Sequence, residues 1–202
     1  MFESIIQPIA QWIIDIISRM GYGGIILTMS IESACIPLPS EIIMPFSGYL
    51  VSTGRFSMLW VSVSGALGCV FGSVAAYAAG YYGGRPFLEK YGKYILLSKK
   101  DIDNAERWTV KYGQMAIFIS RLLPVVRTFI SLPAGIARMN FWKFILYTFL
   151  GSLPWCWALA YVGKILGDHW NTLGKYFHQA DLVIILAVIA GIAIFLWHKF
   201  KK

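Results

Sequence analysis

The chain has 202 residues, 57% of them apolar and only 14% charged, with eight tryptophans and several long uncharged runs. That balance excludes an ordinary soluble domain and predicts one polytopic, all-α integral membrane domain. The net charge of +8 is no nucleic-acid footprint: seven of the eighteen basic residues fall within residues 85–113, and Lys199, Lys201 and Lys202 close the chain. Basic segments beside apolar spans instead mark a cytoplasmic face.

The opening Met-Phe-Glu-Ser lacks a basic n-region, so the first helix is expected to persist rather than be cleaved. Residues 4–20 are apolar on one side and carry Asp15 and Arg19 four apart, which suits a marginal span or an interfacial amphipathic helix. Gly21, Gly23 and Gly24 are expected to break it. Residues 25–53 are apolar enough for membrane depth but are interrupted by Glu32, Pro37, Pro39, Glu41, Pro45 and Gly48. Ser40-Glu41 after Pro39 is a helix start, so the segment is predicted as two half-helices joined at Pro37-Leu38-Pro39. In one unbroken helix Glu32 and Glu41 would point about 180° apart; a hairpin lets them converge.

Residues 56–84 form a full span without a single charge. Its small residues, Gly65, Gly68, Gly72, Ala76 and Gly80, recur every three or four positions, a stripe that admits another backbone at close range. Gly80 and Gly84 are expected to close the span. Residues 85–113 follow as a polar cytoplasmic loop, in which Ser98-Lys-Lys-Asp101 suggests a capping box and a short surface helix ending at Gly113.

Residues 115–139 are again apolar, yet hold Arg121 and Arg127 with Pro124 between them and Pro133 and Gly135 beyond. An arginine at the centre of a lipid-facing helix costs about 2.5–3.5 kcal/mol on insertion scales. Irregular backbone at that depth survives only when buried in protein or lining a cavity. The expectation is a second broken or re-entrant segment, with the break needed to bring two guanidiniums together. Residues 141–167 form another span, bent or broken near Gly151 and Pro154 and closed by Gly163 and Gly167. Residues 176–197 form a last one. The basic loop and tail then both lie inside, with the C-terminus cytoplasmic.

Each half thus contributes a broken segment and a span, in opposed orientation, and the broken segments carry opposite charges. Broken segments at matching places in two halves point to a transporter site at the repeat interface. Proline and glycine at Pro37, Pro39, Pro45, Gly48, Pro124, Pro133 and Gly135 are taken as the hairpin-breaking residues. Glu32, Glu41, Arg121 and Arg127 are taken as the site. They could neutralise one another structurally, hold an anion on the arginines' planar forks, or form a cation or proton pathway. Intramembrane ionisable groups favour the functional readings. His169, His178 and His198 lie away from these charges, and no metal, cofactor or nucleophile–base constellation is apparent. An enzyme is not expected. Cys35, Cys69 and Cys156 are expected as small core residues.

The segment Glu32…Pro37-x-Pro39-Ser40-Glu41, the run from Phe118 through Arg121, Pro124 and Arg127 to Met139, and Gly65-Ala-Leu-Gly68 resemble the DedA family, bacterial relatives of the SNARE-associated Golgi (VTT-domain) proteins. The resemblance covers residues 20–170. It implies opposed re-entrant hairpins, dependence on the proton motive force and movement of lipid in the bacterial cytoplasmic membrane. One branch, the UptA-like proteins, returns undecaprenyl phosphate to the cytoplasmic leaflet; others are linked to phospholipid movement. By resemblance, Arg121 and Arg127 would hold a lipid monophosphate and Glu32 and Glu41 would couple to protons or gate the cavity. A homodimer is left open. Many members carry an acid where this chain has Gly72-Ser73.

Overall fold

The first two helices meet at a sharp corner. α1, Glu3–Met20, buries Ile13 and Ile17 on one side and exposes Trp12, Asp15 and Arg19 on the other. Gly21, at φ +62°, ends it in a conformation that L side chains rarely adopt. Gly23 and Gly24 do not break the chain, contrary to expectation: both lie within α2, Tyr22–Ser33. Gly24 instead lets the backbone of Ile16 and Ile17 approach. The computed structural model describes residues 3–36, 38–91, 113–123 and 126–169. Pro37, Pro124, the Ser98–Asp101 capping box, the 176–197 span and the basic tail lie outside them.

After a break comes α3, Ser40–Ser52, capped at Pro39 as its sequence leads one to expect. α4, Met58–Tyr91, and α8, Phe141–Ile165, are the long members; Met58–Gly83 and Phe141–Ile165 are long and apolar enough to cross a membrane. Between them lie α5, Gln114–Arg121, the single turn α6, Val126–Phe129, and α7, Ser131–Ile136. Among the described residues every element is helical. Exposed Trp142, Leu146, Leu150, Trp157, Tyr161 and Val162 make α8 an apolar outer wall. A second compact unit begins at Leu166, of which Leu166–His169 is a 3-10 turn.

Several expected breaks are absent. α4 runs through Gly80 and Gly84 to Tyr91, so the helix outlasts the predicted start of the polar loop at Arg85. α8 is one helix through Gly151, Pro154 and Gly163. Pro45 and Gly48 sit inside α3, and Pro133 and Gly135 inside α7, so none of these four breaks a hairpin. Pro133 falls in the first turn, where its missing N–H has no intrahelical partner to lose.

The glycines serve contact instead. A Cβ on Gly72 would lie 2.1 Å from the Ser30 carbonyl oxygen of α2, and one on Gly80 2.3 Å from that of Leu132 in α7. On the other long helix, Gly163 faces Pro45 at 2.0 Å and Gly48 faces Ala160 at 1.9 Å. The packing therefore interlocks: α2 and α7 lie on α4, while α3 and α5 lie on α8. Each broken segment straddles both long helices. Gly163→Ala must force α3 and α8 apart, and overpacking of this kind costs about 1–3 kcal/mol. Its thermal midpoint in detergent is expected to fall clearly, whereas Gly23→Ala, with nothing within 4 Å, should melt like the parent.

A candidate anion site between two broken helices

α2 ends near Glu32, and the chain turns through Cys35 at φ +67°. The Cys35 thiol donates to the Thr128 carbonyl at 3.4 Å, so the breaks of the two segments touch. This brings three of the four expected site residues together. Glu32, Arg121 and Arg127 are 5%, 2% and 4% exposed. Glu41 is not among them: its side chain is exposed in the first turn of α3, beside buried Ser40 and Ile43. Among the described residues it forms no ion pair with either arginine.

The two arginines play different parts. Arg127 pairs with Glu32 across the two broken segments, and its guanidinium lies over the Trp155 ring of α8, 5.2 Å from the centroid. Such stacking suits a planar, weakly hydrated cation. Arg121 ends α5 and reaches back over the break. Its Nη1 donates to the Arg127 carbonyl at 2.5 Å, and its Nη2 donates to the hydroxyls of Ser73 and Ser131, each at 2.8 Å. One guanidinium thereby ties the ends of the second broken segment to each other and to α4.

Charge balance follows from this geometry. Among the described residues, two buried cations face one buried carboxylate, which leaves one net positive charge. Burying an uncompensated ion is costly, so the arrangement favours an anion. Unused bonding capacity accompanies the charge: Glu32 Oε2, Arg121 Nε and Trp155 Nε1 are buried and find no hydrogen-bond partner among the described residues. Ser120, by contrast, donates to the carbonyls of Ala116 and Ile117 in its own helix, as hydroxyls in apolar helices commonly do. Cys69 and Cys156 are buried between helices, as their small size suggests.

Two contributors escaped the sequence. Ser73 lies in the Gly-rich span, but only the fold reveals that its hydroxyl accepts a hydrogen bond from Arg121. Trp155 carries no spacing signal that separates it from the other seven tryptophans.

The arrangement defines a class: an all-helical membrane protein with a guanidinium-rich cluster buried between two broken helical segments. Comparison with known proteins carries this further. The VTT domain matches residues 38–165, and the chain belongs to the VTT-domain (DedA) family. It is 42% identical to undecaprenyl phosphate transporter A of Bacillus subtilis over 92% of this chain and 90% of that one. It is 38% identical to the uncharacterized membrane protein YkoX of the same organism, over 97% of this chain and 86% of that one. An alkaline phosphatase-like protein of Lactococcus lactis is 32% identical, over 93% and 91%. No solved structure matches the chain.

Proposed function

We propose that this chain is a lipid-carrier translocase that returns a polyprenyl monophosphate, with undecaprenyl phosphate the first candidate, to the cytoplasmic leaflet of a bacterial cytoplasmic membrane. The observation that carries the reading is the excess positive charge buried with Arg121, Arg127 and Glu32. The name of the Bacillus subtilis transporter supports the same substrate class. A phosphate accepts forked hydrogen bonds from guanidinium, while a polyprenyl tail can remain in hydrocarbon beside the exposed apolar wall of α8.

The proposed architecture is a pair of opposed re-entrant hairpins in inverted repeat, within a single domain. Length supports it. α2 and α3 rise about 18 and 20 Å, against a hydrocarbon core of about 30 Å, so each suits a half-crossing. The exchange of partners, with one arm of each broken segment on its own long helix and one on the other, is what a two-fold relation would produce. The basic segment 85–113 and the basic tail belong on the cytoplasmic side. Proton coupling would run through the acids: exposed Glu41 exchanges with water, and protonation of Glu32 releases Arg127. The site is assembled within one chain, so a homodimer is not needed to complete it.

A phosphatase, as the Lactococcus lactis protein's name suggests for that relative, would require an activated nucleophile. The hydroxyls of Ser73 and Ser131 instead accept hydrogen bonds from Arg121.

The test is leaflet-resolved transport in vesicles containing a defined polyprenyl monophosphate, with and without a pH gradient. Movement above protein-free vesicles is expected, faster with the gradient, lost in Arg127→Ala and kept in Lys143→Ala, whose side chain is exposed. Equal movement by the parent and Arg127→Ala proteins would remove the phosphate role.

A further inference from the structure

The proposed lipid-phosphate site makes a further demand on its ligand, one that rests on that function. Arg121 and Arg127 supply two positive charges and Glu32 one negative, all three nearly fully buried. A singly charged phosphate would bring the buried set to neutrality; a dianion would overshoot it. In a low-dielectric interior the neutral assembly is the favoured one.

The unpaired atoms make the same selection independently. Trp155 Nε1 and Arg121 Nε can only donate, and the ionised Glu32 Oε2 can only accept. Their complement is a group with both acceptor oxygens and one acidic hydrogen. A singly protonated phosphate monoester, RO–PO₃H⁻, has both. A phosphodiester such as the headgroup linkage of a bilayer phospholipid carries the same charge but has no P–OH. With a diester, Glu32 Oε2 would stay buried without a partner, and such mismatches discriminate more strongly than added or missing apolar bulk.

We propose that the site selects a phosphate monoester in its singly protonated form, with Glu32 accepting the phosphate's own hydrogen and the Trp155 indole N–H joining the arginines as a donor. Other titratable groups face the cluster: around Glu32 these are Arg127 from α6, Cys69 from α4 and Glu41 from α3, and around the arginines also Cys35 and Cys156. Changes in the charge of these neighbours would act on any monoanion alike. Protonation of Glu32 itself, by contrast, would give the carboxyl a hydrogen to donate and erase the distinction, so the two esters are compared where Glu32 is ionised and paired with Arg127.

The experiment measures binding of farnesyl monophosphate and of its methyl diester to the full chain in phosphatidylcholine nanodiscs between pH 5.5 and 8.5. Monoester affinity is expected to be greatest at the acid end and to fall by up to about tenfold per pH unit above about pH 6, where the second phosphate proton leaves. The diester should bind at least about tenfold more weakly near neutral pH, as expected for one unmatched buried group, with the gap closing toward acid pH as Glu32 takes up a proton and can donate. Glu32→Gln, whose amide can donate as well as accept, should narrow the gap between the two esters. Trp155→Phe keeps the ring beneath Arg127 but deletes the donor, and should weaken both esters alike. Equal diester binding near neutral pH, or monoester affinity that rises with pH, would overturn the proton-selective site while leaving lipid-phosphate binding intact. Equal binding by the Trp155→Phe and parent proteins would overturn the indole's part. Failure of both esters to bind above the Arg127→Ala background would remove the phosphate site itself.

Discussion

Arg127→Ala is expected to abolish phosphate binding and also to destabilise the fold. The side chain bridges the two broken segments through Glu32 and lies over Trp155 of α8. Its removal leaves a buried carboxylate without its direct ion-pair partner, a change that costs about 3–5 kcal/mol. Loss of the cation–ring contact adds up to about 2 kcal/mol where it is desolvated. The thermal midpoint in detergent should fall well below that of the parent. Adding Glu32→Gln to Arg127→Ala removes the carboxylate left without its direct partner, while Arg121 keeps its three acceptors, so the double variant should regain part of that loss while still failing to bind phosphate. Stability that returns without binding would separate the pair's structural contribution from its role toward the ligand. An Arg127→Ala protein that melts and binds like the parent would show that the buried pair is dispensable.

The sequence made the charged groups visible because arginine, glutamate and proline are conspicuous in an apolar run. Arg121 and Arg127 could not share a face without a break, and α5 does end at Arg121 before α6 begins at Val126. Pro39 likewise sets the start of α3. Proline and glycine were less reliable as breakers elsewhere. Pro45, Pro133 and Pro154 sit within helices, and Gly48, Gly135 and Gly163 exist for close approach, so punctuation and packing leave the same letters in the chain. The periodic stripe in α4 was legible because contact repeats along a face. Glu41 shows the opposite limit. A hairpin can turn two acids toward one region, but only tertiary packing decides which is covered, and Glu32 is buried where Glu41 is exposed. Ser73 and Trp155 were invisible as partners because their contacts cross between helices far apart in sequence.

Ser73 also offers a way to change the buried charge without altering either arginine. A hydroxyl accepts one of Arg121's hydrogen bonds without cancelling its charge. Ser73→Asp would place a second carboxylate against the guanidiniums and bring the buried set to neutrality before any ligand enters. Stability should hold or rise, because the new acid pairs with an existing buried cation, while affinity for a lipid monophosphate should drop. Side-by-side melting and binding measurements on the variant check both halves. A Ser73→Asp protein that binds more tightly than the parent would contradict the role given to the excess charge.

Arg121→Lys is expected to lose nearly all function although charge is conserved. Arg121 spends three of its N–H groups on the Arg127 carbonyl, Ser73 and Ser131, in directions fixed by the planar guanidinium. A lysine ammonium is a point donor on a flexible stem, and it cannot reach Arg127 and Ser131 on one side and Ser73 of α4 on the other with the same geometry. Hydrogen bonds to a charged group contribute about 1.5–3 kcal/mol each, so losing even one or two loosens the closure of the second broken segment against α4. The consequence for the site is indirect but large, because the Arg127 carbonyl is the tether that fixes where the Arg127 side chain departs. Transport should fall toward the level of Arg127→Ala, and the α5–α6 break should become more open to protease or hydrogen exchange. Both effects should appear together, since the side chain that closes the break also orients the arginine proposed to bind phosphate. A lysine variant with normal transport and unchanged exchange would mean that a positive charge at this position suffices and the fork has no part.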